Sequence, residues 1–187
     1  MRVDAAAALI APAVRPPGGV WADLGAGGGR FSRALAELLG PEGHVYAVDR
    51  DPAAVTALAR LPRDPRGAPI TVVRGDLTAP DVLDTLGSPG GAAPPLDGVL
   101  IANALHFVPN AAQAPTLARL LAALGPGGRL VVVEYEDRAP SRWVPYPVSP
   151  ARLTTLLPPD VRRPTRVGAR PSAVGGTIYA AMVERPG

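Results

Sequence analysis

Apolar residues arrive along this chain in two rhythms. Short, nearly unbroken runs read as strands buried on both faces: Val20–Leu24 (VWADL), His44–Val48 (HVYAV), Ile70–Arg74 (ITVVR), Gly98–Ala102 (GVLIA) and Arg129–Tyr135 (RLVVVEY). Between them lie stretches with helical spacing. Phe31, Leu35, Leu38 and Leu39 share one face of Phe31–Leu39, and Leu117, Leu120, Leu121 and Leu124 share one face of Ala112–Leu124. Pro52 opens a helix over Pro52–Leu61, with Asp51 placed to cap it. Asp81–Leu86 is expected as a short helix, followed by a Gly/Pro/Ala loop from Leu86 to Pro95. Short apolar strands separated by amphipathic helices predict a parallel sheet covered on both faces. Right-handed crossovers make such a sheet doubly wound.

After residue 135 the rhythm breaks. Glu136–Pro150 is proline-rich and irregular, Ala151–Leu157 fits a short helix, and Val161–Val167 and Thr177–Glu184 read as strands paired antiparallel through Gly175-Gly176. No repeat, coiled coil or long linker divides the sequence. Residues 1–187 are therefore expected to form one domain, with a core over about 15–135 and a loop and C-terminal hairpin over 136–187.

Composition narrows the chemistry. Only 4% of residues are aromatic, so the core must rest on Ala, Val, Leu and Ile. Cys is 0, which removes disulfides, thiolate metal sites and cysteine nucleophiles. Lysine is absent and all 19 basic residues are arginine, which removes a phosphate-loop lysine and Schiff-base chemistry. No metal-ligating cluster stands out. The pI of 9.9 reflects arginine's very high pKa, because the formal charge is only +3. Nucleic-acid binding cannot be argued from it. The N-terminal stretch MRVDAAAALIAPAV is too short and too weakly apolar to span a membrane and makes no convincing signal peptide, so a soluble cytoplasmic protein is the expectation.

In a doubly wound sheet, ligands bind beyond the carboxyl ends of the strands, where the strand order reverses. The residues that follow the strands here are Asp23-Leu24-Gly25-Ala26-Gly27-Gly28-Gly29, Asp49-Arg50, Gly75-Asp76-Leu77, Asn103 and Glu134-Tyr135-Glu136. A glycine loop lets backbone approach a ligand, and the following helix points its first amides at the same place. Asp49 lies 24 positions after Gly25, in the range expected of a carboxylate that accepts ribose hydroxyls. Each also has a plain structural reading: a tight turn for Gly27–Gly29, a helix cap for Asp49, and turn residues for Asp76 and Asn103.

These motifs make the chain resemble the class I S-adenosylmethionine-dependent methyltransferases. Asp23 through Gly29 is similar to the family's first motif, an acid followed by G-x-G-x-G. Asp49 matches its ribose-holding acid, and Gly75-Asp76-Leu77 the segment beside the adenine. Leu96-Asp97-Gly98-Val99 through Asn103-Ala104-Leu105-His106-Phe107 resembles the fourth motif, and Leu124 through Leu130 the turn before the fifth strand. The resemblance covers about residues 15–135 and implies a Rossmann-like, mostly parallel seven-stranded sheet with an antiparallel C-terminal strand and helices on both faces. It implies S-adenosylmethionine as cofactor. Gly25, Ala26 and Gly27 would lie against the methionine part, Asp23 would help hold its ammonium group, and Asp49 would take the ribose. Asp76 would meet the adenine amino group, Arg50 and Leu77 would flank the ring, and Asn103 would contact the methionine end.

Catalysis is less determined. Methyl transfer needs a base only when the nucleophile arrives protonated. His106, Glu134, Tyr135 and Glu136 stand near the site, and His106 is the catalytic candidate because imidazole titrates near neutrality; a packed core histidine is the competing reading. His44, at the far end of its strand, reads as structural. Tyr135, Trp143 and Tyr146 are candidates for lining a substrate pocket; a proline-rich flap packed on the sheet edge is the alternative. A dinucleotide-binding domain is disfavoured because Arg30 occupies the place of its third glycine.

A small-molecule acceptor is favoured. The lysine-dependent rRNA methyltransferase set is missing, the N-P-P-Y signature is absent, and Arg162, Arg163, Arg166 and Arg170 form the only basic cluster. An inactive cofactor-binding module and an RNA or protein methyltransferase remain as alternatives. The early first motif leaves room for at most one N-terminal helix, so an open pocket is expected, which a homodimer could cover.

Overall fold

In the computed structural model the described residues are 1–14, 16–86, 95–173 and 175–185. Most of the Gly/Pro/Ala loop expected after Leu86 falls outside them. The apolar runs form β1 (Gly19–Leu24), β2 (Gly43–Asp49), β3 (Ile70–Arg74), β4 (Leu96–Ala102) and β5 (Leu124–Tyr135), joined at the C-terminus by β6 (Thr165–Pro171) and β7 (Thr177–Glu184). Between them run α2 (Arg30–Leu39), α3 (Pro52–Ala59), α4 (Asn110–Ala123) and α5 (Pro150–Leu156), and α1 (Val3–Ile10) precedes them all.

The seven strands lie in one sheet in the order β3-β2-β1-β4-β5-β7-β6. β1 to β5 pair in parallel, and β7 runs antiparallel to both β5 and β6. The chain winds outward from β1 to β3, then returns to place β4 on the other side of β1. The order therefore reverses between β1 and β4.

Side chains alternate across each strand, which separates two cores. Leu130 and Val132 of β5 pack with Leu24, Ile101, Leu117, Leu120 and Leu153, under α4 and α5. Val131 and Val133 pack with Leu100, Ile10, Phe31 and Leu35, under α1 and α2. The N-terminal helix thus covers the sheet face beside α2 and β6.

Three details of the local reading change. Residues 81–86 form consecutive turns closed by Asp84 N to Asp81 O and Leu86 N to Leu83 O, not a helix. Six residues behind Pro80 are too few to nucleate an α-helix without strong packing. The strand expected at Val161–Val167 begins four residues later, at Thr165, because Pro164 cannot donate to a ladder. Leu124, expected on the inner face of α4, instead begins β5, whose pairing with β4 is interrupted between Leu96 and Gly98.

Candidate active site

The carboxyl ends of β1, β2, β3 and β4 bring the glycine loop, Asp49, Asp76 and Asn103 together beside the reversal of strand order. The loop after β1 is held by its own backbone. Gly25 N and Ala26 N both donate to Val48 O, at 2.9 and 3.0 Å, and Gly29 N donates to Ala26 O. Gly25 has φ +80, and a Cβ there would lie 2.5 Å from Ala104 Cβ. No larger residue fits, so the segment after β4 packs directly on the loop. Gly29, at φ +73, turns the chain into α2, which has no side-chain cap.

Asp49 ties the loop to the end of β2. Its Oδ2 accepts from Gly27 N at 2.7 Å and its Oδ1 from Asp51 N at 2.9 Å. A carboxylate has about four acceptor positions, so two remain for ligand hydroxyls. Asp51 caps α3 through Ala53 N, as the sequence predicts.

Asp76 accepts from Thr78 N and Thr78 Oγ1 through Oδ1, and Arg50 reaches its Oδ2 at 3.2 Å. Partial burial raises its pKa, but the Thr78 and Arg50 hydrogen bonds prevail and the net shift is downward. Leu77 is partly buried, with a methyl group 3.7 Å from the position of a Gly25 Cβ. Arg50 and Leu77 thus both border the end of β3.

Two oxygens at this end of the sheet are sealed and unpartnered. Asp23 is 1% exposed; its Oδ2 accepts the Ser32 hydroxyl at 2.6 Å, and its Oδ1 has no hydrogen-bond partner. Burial, reinforced by the charge of Asp49 and opposed by Ser32, pushes its pKa up to about 7. Asn103 Oδ1 is the second. Asn103 also has φ +52, the one left-handed non-glycine residue among those described, and its N donates to Val133 O at 2.8 Å. Strained backbone and orphaned polar atoms concentrate at functional sites.

Beyond Asn103 the chain makes a single 3-10 turn, Leu105–Phe107, that carries His106. Glu134 grips it twice: Oε1 accepts from His106 N at 3.1 Å, and Oε2 lies 2.7 Å from His106 Nδ1. Both residues are buried, and Phe107 and Tyr135 flank the imidazole with centroids 4.3 and 5.8 Å away.

The segment after β5 is fixed by groups distant in sequence. Gln113, buried in α4, donates to Leu105 O, Val108 O and Tyr146 O and accepts from Arg152 of α5. Tyr146 N donates to His106 O, and the Tyr179 hydroxyl to Val148 O. A cleft of about 290 Å³ opens here, lined by Tyr135, Glu136, Asp137, Arg138, Pro140, Pro147 and Ser149. Tyr135 is in its wall and Tyr146 adjoins it. Trp143 is 68% exposed beneath the guanidinium of Arg142 and is not part of the wall. His44 sits at the opposite end of β2, bonded to Thr71 Oγ1, with its pKa lowered by burial.

The sequence places Glu134 among the candidates near the site but does not show that it holds His106, and it gives no sign of Gln113. Glu134 closes an apolar run at a strand end, but its partner became visible only when β4 and β5 paired in parallel with Ala102 opposite Val133. Nothing in the local pattern of α4 marks Gln113.

Residues 22–130, more than half the chain, match the family model of a methyltransferase domain. Among curated proteins, 58 residues are 43% identical to the ribosomal RNA small subunit methyltransferase H of Paracidovorax citrulli, covering 31% of this chain and 19% of that protein. Over 110 residues the chain is also 32% identical to the protein-L-isoaspartate O-methyltransferase of Methanothrix thermoacetophila, covering 59% of this chain and 44% of that protein. The matches thus span less than half the length of these relatives. Of solved structures, the N-methyltransferase NodS of Bradyrhizobium japonicum WM9 superposes with a TM-score of 0.69 at 16% identity, over 99% of this chain and 97% of that one. The Burkholderia thailandensis 1,6-didemethyltoxoflavin-N1-methyltransferase, solved with bound 1,6-didemethyltoxoflavin and S-adenosylhomocysteine, gives 0.66 at 23% identity, over 99% and 78%. At these identities the structures share the fold. The chain belongs to the methyltransferase-domain family, the class I S-adenosylmethionine-dependent methyltransferases.

Proposed function

We propose that this protein transfers a methyl group from S-adenosylmethionine to a small-molecule acceptor. The observation that carries the reading is the convergence of Gly25–Gly27, Asp49, Asp76 and Asn103 on one edge of the sheet, where Asp23 Oδ1 and Asn103 Oδ1 are sealed without partners. Unpartnered buried polar atoms concentrate at functional sites, and a loop pressed against Ala104 suits a ligand that approaches the backbone closely.

In this reading Gly25, Ala26, Gly27 and Asn103 face the methionine part, with Asp23 behind them. Asp49 keeps its bond to Gly27 and accepts the ribose hydroxyls. Asp76, steadied by Thr78, meets the adenine edge, and Leu77 and Arg50 border the ring. The bound cofactor supplies an electrophilic methyl on a sulfonium; the chain supplies position and exclusion of water. Tyr135 and Tyr146 belong to the acceptor side. Trp143 belongs to its rim.

Charge supports a small acceptor over RNA. Of the four arginines in the basic cluster, Arg166 forms a bidentate pair with Glu136 at 2.6 and 3.0 Å, and Arg170 has a sealed Nη1. Methyl-labelled S-adenosylmethionine incubated with the protein and, separately, with a deproteinised metabolite extract, total RNA and denatured protein tests the reading. Label is expected in the low-mass fraction; label confined to RNA or protein would overturn the acceptor class.

A further inference from the structure

We propose that His106 and Glu134 form a proton-accepting pair, in which Glu134 is the positioning residue and His106 Nε2 takes the proton of a neutral, phenol-class hydroxyl acceptor. The inference rests on the chain acting as a methyltransferase and names the acceptor class of that same site.

The tautomer follows from the contacts. Glu134 presents oxygens to both the backbone N–H and the Nδ1 of His106. A carboxylate only accepts, so the ring proton belongs on Nδ1 and the lone pair on Nε2. Nε2 makes no hydrogen bond with any described residue. It is not among the fully sealed, unpartnered atoms of the interior, although His106 as a whole is only 3% exposed. A histidine that merely fills the core has no reason to keep one nitrogen bare while a buried carboxylate grips the other.

Its place in the fold fits a proton transfer. Ala104, two residues earlier, packs against Gly25 of the cofactor loop. On the other side Tyr135, a wall of the cleft, lies 5.8 Å from the imidazole, and Tyr146 N binds His106 O. His106 therefore stands between the loop and the cleft.

The proton requirement selects the acceptor. A carboxylic acid is already ionised at neutral pH and gains nothing from a base. An ammonium would need anions facing it, yet Glu134 is fully buried beside His106, Glu136 is paired with Arg166, and Asp137 shares the wall with Arg138. A neutral hydroxyl fits this balanced lining. A phenol ionises near pH 10, within reach of imidazole assistance, whereas aliphatic alcohols lie far higher. In the step the hydroxyl O–H bond breaks and its proton moves to Nε2. The oxygen's electron pair forms the bond to the methyl carbon, the methyl–sulfur bond pair stays on sulfur, and a neutral thioether leaves.

The ionisable groups around the imidazole are Glu134, Tyr135 with Arg138 over its ring, and Tyr179, whose pKa is raised by burial and by the charges of Glu134 and Glu136. Among the described residues no hydrogen bond or ion pair joins a cation to Nε2, so proton acceptance falls to His106 itself.

The test uses the full chain saturated with S-adenosylhomocysteine and titrated with 4-nitrophenol at a pH just below its ionisation. Bound phenol is expected to give its proton to His106 and show saturable nitrophenolate absorbance. That signal should vanish in His106→Gln and weaken in Glu134→Gln, with S-adenosylhomocysteine affinity unchanged in both. No saturable signal, or one that persists in His106→Gln, overturns the proposal. Failure of the wild type to bind S-adenosylhomocysteine would instead strike the underlying reading. If Glu134→Gln does not fold, the imidazole nitrogen-15 spectrum of the wild type decides: a proton on Nδ1 is expected, and a proton on Nε2 overturns the pair.

Discussion

The two sides of the site are built differently. The proposed cofactor side is held through backbone groups: Gly25 and Ala26 donate to Val48 O and Gly29 to Ala26 O, while Asp49 accepts from Gly27 N and Asp51 N and Asp76 from Thr78 N. The acceptor side is stitched by Gln113, Arg152, Glu134 and Tyr179 across separations of 28 to 39 residues. A cradle of backbone and short acids can be shared widely, because what it holds is constant. A wall of distant side chains can change with the acceptor while the sheet stays the same.

If this division is real, changes on the cofactor side should alter nucleoside binding, and changes on the acceptor side should leave it intact. The largest effect is expected at Asp23. Its folded pKa, about 7, lies above the unfolded value of 3.8. Its contribution to stability is therefore whole below pH 3.8 and lost as pH rises through 7, a cost of about 4 kcal/mol at pH 8. Asp23→Asn keeps an acceptor for Ser32. Urea unfolding should find this variant more stable than wild type at pH 8 but not at pH 4, while its affinity for S-adenosylmethionine falls.

Next comes Gly25→Ala. A left-handed φ and a Cβ pressed on Ala104 should cost about 2–4 kcal/mol and abolish S-adenosylhomocysteine binding, as read by urea unfolding and calorimetry. Gln113→Leu should be milder in stability, about 2 kcal/mol, because it strips partners from three carbonyls and Arg152. Its signature should be a change in Trp143 fluorescence with nucleoside affinity retained; loss of that affinity would dissolve the division. Arg50→Ala should be smallest, under about 1 kcal/mol in stability, since its pair with Asp76 is solvent-exposed.

The same division explains what could be read in advance. Strands β1 to β5, the glycine loop and the Asp51 cap declare themselves within a few residues, through apolar runs and turn chemistry, and Asp49 through its spacing from that loop. The antiparallel final strand at Thr177–Glu184 also stands where it was expected. The roles of Glu134 and Gln113 depend on which elements become neighbours, and no local period encodes that. Pro164 shows the opposite failure. Its effect on the strand is local, and the apolar and β-branched residues around it masked a signal that was present. Its place in the chain groups Trp143 with the acceptor residues, but it is exposed, with Arg142 over its ring, and does not line the cleft.

The proposed S-adenosylmethionine site lies at the β1–β4 edge. Calorimetric titration of the wild type and Asp49→Ala with S-adenosylhomocysteine tests it most directly. Micromolar binding by the wild type and loss of most of it in the variant are expected, with both chains folded by circular dichroism. A folded wild type that binds nothing, or an Asp49→Ala chain that binds as tightly as wild type, would contradict it.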